Sequence, residues 1–294
     1  MKTYIDCIPC FISHSLNVAK MTGRNSEEQR EILRQTLAMA ASLDFEKSPP
    51  AMAKKIHAII RQITGVDDAY VKIKDESTAF ALEMLPFLRH EVEKSEHPFE
   101  TAIRLVIAGN IIDFGTDHNF NLNSVHQIIA DSLKQQIDIN AIERLHRRVM
   151  ESDRILYIAD NCGEIVFDRL LIEQYRGKIT LAVRGNPILN DATRREAEMS
   201  GMNEFVDIID TGDSIPGVIL ENCSDEFKDH FANSDLIISK GQGNFETLHE
   251  TDRPVFFLFM TKCQVIARLL NSEMGSLNVI EKNPGQPKSR QIIH

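Results

Sequence analysis

Ile155-Leu-Tyr-Ile-Ala-Asp-Asn-Cys-Gly-Glu164 decides the fold. Its first five residues form an apolar run of strand character, which stops abruptly at two oxygen-bearing side chains, Asp160 and Asn161. Gly163 then turns the chain, and a helical pattern runs from Glu164 to about residue 175. The reading is strand, tight turn, helix. In an open parallel sheet such a turn lies outside the carboxyl end of its strand, where ligands bind. The helix that starts there aims free backbone N–H groups and its positive dipole end at the same place. Asp160 and Asn161 offer hard oxygens, suited to Mg2+ or Mn2+ rather than to a soft metal. An anion beside a helix N-terminus, bridged by a divalent cation, points to a phosphate.

Downstream the same grammar continues. Apolar runs at 179–183, 205–209, 236–239, 255–259 and 277–280 alternate with helical stretches. That alternation predicts an α/β fold with a mostly parallel, Rossmann-like sheet covered on both faces, over residues 153–294. Upstream, from about residue 11, the periodicity is helical, and helix after helix without a strand predicts an all-α region over 1–152. Within it, Ser26-Glu-Glu-Gln29 has the capping-box form. Ser48-Pro-Pro50 breaks the chain and restarts a helix, because Pro is tolerated in the first helical turn and not deeper.

Composition narrows the function. The chain has 294 residues and a net charge of -10, whereas a general nucleic-acid binder carries a basic footprint. No apolar run reaches membrane-spanning length, and the first residues lack the apolar core of a signal peptide. Five cysteines, scattered apart from Cys7 and Cys10, make no disulfide framework. A cytoplasmic protein with neither nucleic-acid nor membrane partner is the expectation; a homo-oligomer is left open. Cys7-Ile-Pro-Cys10 could be half of a zinc site, with His14 four residues on, or a redox pair. The competing reading is small buried residues at the start of a helix.

Several strand ends terminate in polar residues. Arg184-Gly-Asn-Pro187 follows the second run, with Asn190-Asp191 opening the next helix. Lys240-Gly-Gln-Gly-Asn244 follows the 236 run, and Thr261-Lys262 follows the 255 run. Together with Asp160 and Asn161 they would supply two carboxylates and an amide for a metal, and cations for an anionic substrate. Asp191 could instead be a helix N-cap, and Lys240-Gly241 a solvated turn. Lys262, at the start of a helix, opposes the dipole and so favours an anionic partner. In the helical region, Gly109-Asn110-Ile-Ile-Asp113 breaks an apolar pattern. Asn110 and Asp113 lie three apart on one helical face, either lining a site or forming a helix C-terminus. A GxGxxG loop, a P-loop and a GxSxG elbow are absent, and Cys162 stands where an Asp-x-Asp phosphatase needs its second carboxylate.

Asp160-Asn-Cys-Gly-Glu164, Arg184-Gly-Asn-Pro with Asp191, Lys240-Gly-Gln-Gly-Asn244 and Phe259-Met-Thr-Lys262 together resemble the damage-control phosphatase family, also called domain of unknown function 89. Cys7-x-x-Cys10, Val66-Asp-Asp-Ala-Tyr70-x-x-x-Lys74 and Gly109-Asn110-x-x-Asp113 are similar to its prokaryotic branch. The resemblance spans nearly the whole chain. It implies a helical N-terminal domain (1–152) packed on a Rossmann-like α/β/α domain (153–294). It also implies phosphatase activity on small phosphorylated metabolites with Mn2+, Ni2+, Co2+ or Mg2+. By the same resemblance, Asp160, Asn161 and Asp191 are the metal ligands, with Asp160 and Asp191 catalytic. Lys240, Gly241 and Asn244 match the substrate loop, and Lys262 a phosphate-binding lysine. Gly163, Glu164, Arg184, Asn110 and Asp113 complete the expected lining. The eukaryotic branch carries Arg-Thr-x-Lys at 259–262, so its sugar-phosphate preference does not carry over. Attack by water and attack by Asp160 itself both remain open. Rival readings are an S-adenosylmethionine-dependent carboxyl methyltransferase and a non-catalytic phosphometabolite or metal sensor.

Overall fold

The computed structural model describes residues 1–23, 25–111 and 122–283. The first half is helical: α1 (Cys7–Thr22), α2 (Ser26–Ala41), α3 (Pro49–Thr64), α4 (Val71–Glu93), α5 (Pro98–Ala108), α6 (Leu122–Lys134) and α7 (Ile139–Glu151). Helix α3 begins with Pro49 and Pro50 in its first two positions and ends at Gly65 with φ +68, a left-handed stop. The cap of α2 is Asn25, not the expected Ser26. Asn25 sits in extended backbone and its side chain accepts from the backbone N–H of Glu27 and Glu28, leaving Ser26 as the first helical residue.

The second half alternates β1 (Ile155–Ile158), α8 (Glu164–Ile172), β2 (Ile179–Val183), α9 (Arg194–Met199), β3 (Asp207–Asp210), α10 (Asp225–Asn233), β4 (Leu236–Lys240), α11 (Gln242–Leu248), β5 (Val255–Met260), α12 (Gln264–Leu270) and β6 (Leu277–Lys282). Strand β3 starts two residues later than the sequence reading, because residues 202–204 wind into a 3-10 turn. The sheet order is β3-β2-β1-β4-β5-β6, parallel throughout except for antiparallel β6. The order of the chain reverses between β1 and β4. A crevice therefore opens at their carboxyl ends, the place where open α/β sheets bind ligands.

Period-two alternation builds the core on both sheet faces. Ile155, Tyr157 and Ala159 face a cluster with residues of α4, α5, α7 and α8, so this hydrophobic core runs continuously across residue 152. Leu156 and Ile158 face the opposite cluster, with Phe227, Phe245, Phe257 and Ile266. Helix α5 is buried from Thr101 to Ala108 and leads into a 3-10 turn, Gly109–Ile111. A Cβ on Gly109 would lie 3.0 Å from the Phe167 ring, so the glycine lets this turn press against α8 and deliver Asn110 to the crevice. Asp113 lies outside the described residues. Among the described residues no helix is long and apolar enough to cross a membrane.

Helices α1 to α3 form a third apolar cluster around Phe11, Val18, Ile32, Met52 and Ile56. At its edge the Nε2 atoms of His14 and His57 lie 2.9 Å apart, one ring donating to the other. Burial pushes His14 down to about 4, and burial with the neighbouring His14 and Arg61 pushes His57 down to about 3. Both rings are neutral when folded, while the unfolded chain protonates them near the ordinary value of about 6.5. Stability is therefore present above that pH and falls as pH drops through 6.5 toward 4, by at most about 1.4 kcal/mol per pH unit for each ring. Thermal unfolding should show this acid loss, and His57→Phe should flatten it between pH 6.5 and 4. An unchanged slope would mean that other groups set the acid limit.

Candidate functional site

The turn after β1 and the loop after β2 are zipped together by backbone bonds. Ala192 N–H donates to the Asp160 carbonyl at 2.7 Å, and Cys162 N–H donates to the Asn190 carbonyl at 2.9 Å. Asn161 and Asp191 form an isolated antiparallel bridge. Asp160, Asn161 and Asp191, far apart in sequence, thus stand side by side at the crevice. The expectation that Asn190-Asp191 opens a helix is corrected here. Helix α9 starts at Arg194, and its cap is Thr193 in a capping box with Glu196. Asp191 is spared that duty and its Oδ2 accepts from Arg184 Nε at 2.6 Å. The loop reaches this position through Leu189, whose φ of +47 is strained for a residue with a bulky side chain.

Polar side chains surround the Asp160 carboxylate. Arg184 Nη2 donates to Oδ1 at 3.3 Å, so one guanidinium ties Asp160 to Asp191. Asn110 Nδ2 and Asn161 Nδ2 each donate to Oδ2 at 3.2 Å. The same two amides donate to Glu164 Oε2, at 2.5 and 3.3 Å. Gly241, at φ +81, has no room for a side chain: a Cβ would lie 2.0 Å from Asp160 Oδ2. Gly163 packs its turn against α4, where a Cβ would meet Ser77 at 3.3 Å.

Two residues expected to meet the substrate do other work in this geometry. Lys240 is fully buried, and its ammonium donates to Glu164, to Asp168 Oδ1 at 2.7 Å and to the Val106 carbonyl at 2.9 Å. An ammonium has three donors, so all are spent and Lys240 holds Glu164 in place instead of offering a free cation. Asn244 is also fully buried and donates to the Ala159 and Lys240 carbonyls, pinning β1 to β4 at the switch point. Lys262, by contrast, is exposed at the mouth of the crevice, and its charge favours ionisation of Asp160 and Asp191.

Sequence reasoning missed the layer beneath. Tyr157 Oη donates to Asp168 Oδ1 at 2.7 Å, and Asp168 lies four residues after Glu164 on the same face of α8. That i, i+4 pair was the signal available. Lys74, quoted above only as part of a motif, is fully buried beside the Asp191 loop. Its Nζ lies 3.1 Å from Asp68 and 3.8 Å from Glu196.

The charge balance fits a cation. Burial, then the Asp191 and Glu164 charges, push Asp160 up to about 8 despite Arg184 and Lys262. Burial also raises Asp191 against the pull of Arg184. Among the described residues, the buried Asn110 Oδ1 and Arg184 Nη1 have no hydrogen-bond partner. Also among them, no three His, Cys, Asp or Glu side chains converge as a metal cage. Two carboxylates and an amide are nevertheless the donor set with which Mg2+-like ions work, completed by water and substrate phosphate. A cavity of about 660 Å³ opens over Asp160, Asn161 and Asp191, with Lys262 on its wall. Cys7, Cys10 and Cys263 line it too, all as free thiols. Burial pushes the Cys7 thiol up to about 11, away from the thiolate a redox pair needs.

Lys240→Met separates the two roles of that lysine. Removing it leaves Glu164 and Asp168 buried without their partner, a loss of about 3–5 kcal/mol for a broken buried pair. Denaturant unfolding should show that loss. Unchanged stability with weakened phosphate binding would restore Lys240 to the substrate.

A family model described as the damage-control phosphatase ARMT1-like domain matches residues 3–277. A damage-control phosphatase of Pyrococcus horikoshii is 32% identical over 283 residues, covering 94% of this chain and 97% of the relative. Another damage-control phosphatase, from Archaeoglobus fulgidus, is 29% identical over 279 residues, covering 92% and 96%. The crystal structure of a domain-of-unknown-function-89 family protein from Pyrococcus horikoshii superposes with a TM-score of 0.87 at 30% identity, covering 96% of this chain and all of that one. With its carboxylates gathered at the switch point of a fold shared over nearly the full length of these relatives, the chain belongs to the damage-control phosphatase ARMT1-like family.

Proposed function

We propose that this protein is a metal-dependent phosphatase acting on small phosphorylated metabolites, with Asp160, Asn161 and Asp191 as its metal-holding set. One observation carries the reading. Two buried carboxylates tied by one arginine, with an amide between them, face a cavity that an exposed lysine enters. The resemblance implies Mn2+, Ni2+, Co2+ or Mg2+, and the oxygen donors suit a hard divalent ion among these. When bound, such an ion neutralises a phosphoryl oxygen and lowers the pKa of a water.

The chain's own groups do the rest. Lys262 binds the phosphate from the open side, and the N-terminus of α8 adds its dipole from the closed side. Arg184 keeps Asp160 and Asp191 in register, so that charge developing on the phosphoryl oxygens meets preorganised groups. Asp160 is held on both oxygens, by Arg184 on Oδ1 and by Asn110 and Asn161 on Oδ2. Arg184 Nε engages Asp191 through Oδ2, so Oδ1 is the oxygen with which Asp191 can orient a water and take its proton. That arrangement favours attack by water over direct attack by Asp160, because each hydrogen bond the carboxylate accepts draws off charge and lowers its nucleophilicity.

Phosphate release from p-nitrophenyl phosphate should vanish on chelation and return when one divalent metal is restored. Asp160→Asn and Asp191→Asn should each lower the metal-restored kcat by about a thousandfold or more, the scale of losing a positioned catalytic group, with circular dichroism unchanged. Folded variants that retain near-parental turnover would remove these residues from the chemistry. Lys262→Met should raise KM for every phosphate ester tested and spare the fold, since its side chain reaches solvent. A KM unchanged across the panel would take it off the phosphate.

A further inference from the structure

The cavity over Asp160 has two chemically different halves. Its floor carries the charges: Asp160, Asn161 and Asp191, with Lys262 beside them. Its walls are apolar, built by Phe11 of α1, Pro50 and Ala53 of α3, and Leu189, Pro216 and Val265 from the sheet half. Several polar side chains on those walls are engaged with one another. Arg268 is ion-paired with Asp6. His14 shares its Nε2 bond with His57, and burial keeps both rings neutral at pH 7. Gln242 donates to Glu246 at 2.8 Å and accepts from the Lys262 backbone N–H at 2.9 Å.

This division bears on what a phosphate can be attached to. A sugar brings a hydroxyl on nearly every carbon, and each one stripped of water without a new partner is a loss of order 1–3 kcal/mol. A carbon skeleton without hydroxyls forfeits nothing against the same walls and gains from leaving water, at roughly 25 cal/mol per Å². A second phosphate would need cations of its own, and the Met1 ammonium and Arg268 on the lining are engaged with the Glu246 carbonyl and with Asp6. The strained backbone at Leu189 adds an independent mark. Its positive φ is a conformation that glycine would take freely, yet the chain keeps a leucine there, with its side chain on the apolar wall.

We propose that the substrate is a monophosphate ester whose carbon skeleton is apolar or aromatic, its phosphate against Lys262 and the acidic floor and its skeleton against Phe11 and Leu189. This rests on the phosphatase reading and deepens it. The size of the cavity, about 660 Å³, is that of a small-molecule site.

Benzyl phosphate and glucose 6-phosphate test it, because both are esters of primary alcohols with comparable leaving groups. In the metal-restored enzyme, kcat/KM for benzyl phosphate should exceed that for glucose 6-phosphate by about tenfold or more, the discrimination one well-filled apolar pocket supplies. Leu189→Gly relieves the strained backbone while removing the wall, so it should fold and lose most of that preference through a higher KM for benzyl phosphate. Equal efficiency on the two esters, or a ratio unchanged in Leu189→Gly, overturns the substrate class and leaves the phosphatase standing. No phosphate released from either ester, or from p-nitrophenyl phosphate, with any of the four metals overturns the phosphatase reading and this inference with it.

Discussion

The carboxylate of Asp160 occupies space that any side chain at residue 241 would need. This steric constraint joins the end of β1 to the end of β4, the two strands between which the order of the sheet reverses. Around that contact the neighbours are hydrogen-bond donors. Arg184 and two asparagine amides hold the carboxylate, and the amides hold Glu164 as well. Lys240 in turn holds Glu164 and Asp168 from below. A buried acid in this company is driven toward its neutral form unless more positive charge arrives. A divalent cation held at the mouth, as proposed above, would supply that charge.

The two halves of the chain divide the labour at the cavity. The sheet half brings charge, because strand ends and the loops after them are where an α/β sheet can place polar groups without burying them in its core. The helical half brings apolar wall through α1 and α3, with Asp6 and His14 among it, and delivers Asn110 to the Asp160 carboxylate through a 3-10 turn. The ion pairs Lys54–Asp213 and Arg268–Asp6 tie the helical half to the sheet half. The half-exposed pair Arg268–Asp6 contributes little stability, so its role is orientation more than strength.

Much of the architecture was legible in the residues because it rests on local periodicity. All six strands and the helices between them follow from apolar runs and turn chemistry. The misreadings are local competitions. Asn25 outbid Ser26 as a cap because it stands one residue earlier in extended backbone. Thr193 took the cap that Asp191 was offered, since Glu196 three residues on completes its box. Lys240 read as a substrate cation or a solvated turn because the nearest acids in sequence, Asp235 and Glu246, do not reveal its partners. Its partners, Glu164 and Asp168, arrive from a helix more than seventy residues away.

By itself the sequence determined the identity of the chemistry: hard oxygens at the end of the first strand, lysines after later strands, and a net acidic chain with a few cations placed among them. Those features are properties of residue type and of short-range order, and need no partner to be read. Which cation is buried among acceptors and which reaches solvent, and which side of the cavity is polar and which apolar, were decided only by tertiary structure. Lys240 and Lys262 are the same residue type at the ends of adjacent parallel strands. One is buried beneath three acceptors and the other reaches solvent beside the acidic floor. The physical reason is that a charge takes its role from what surrounds it in space, and desolvation and pairing are set by contacts between segments far apart along the chain.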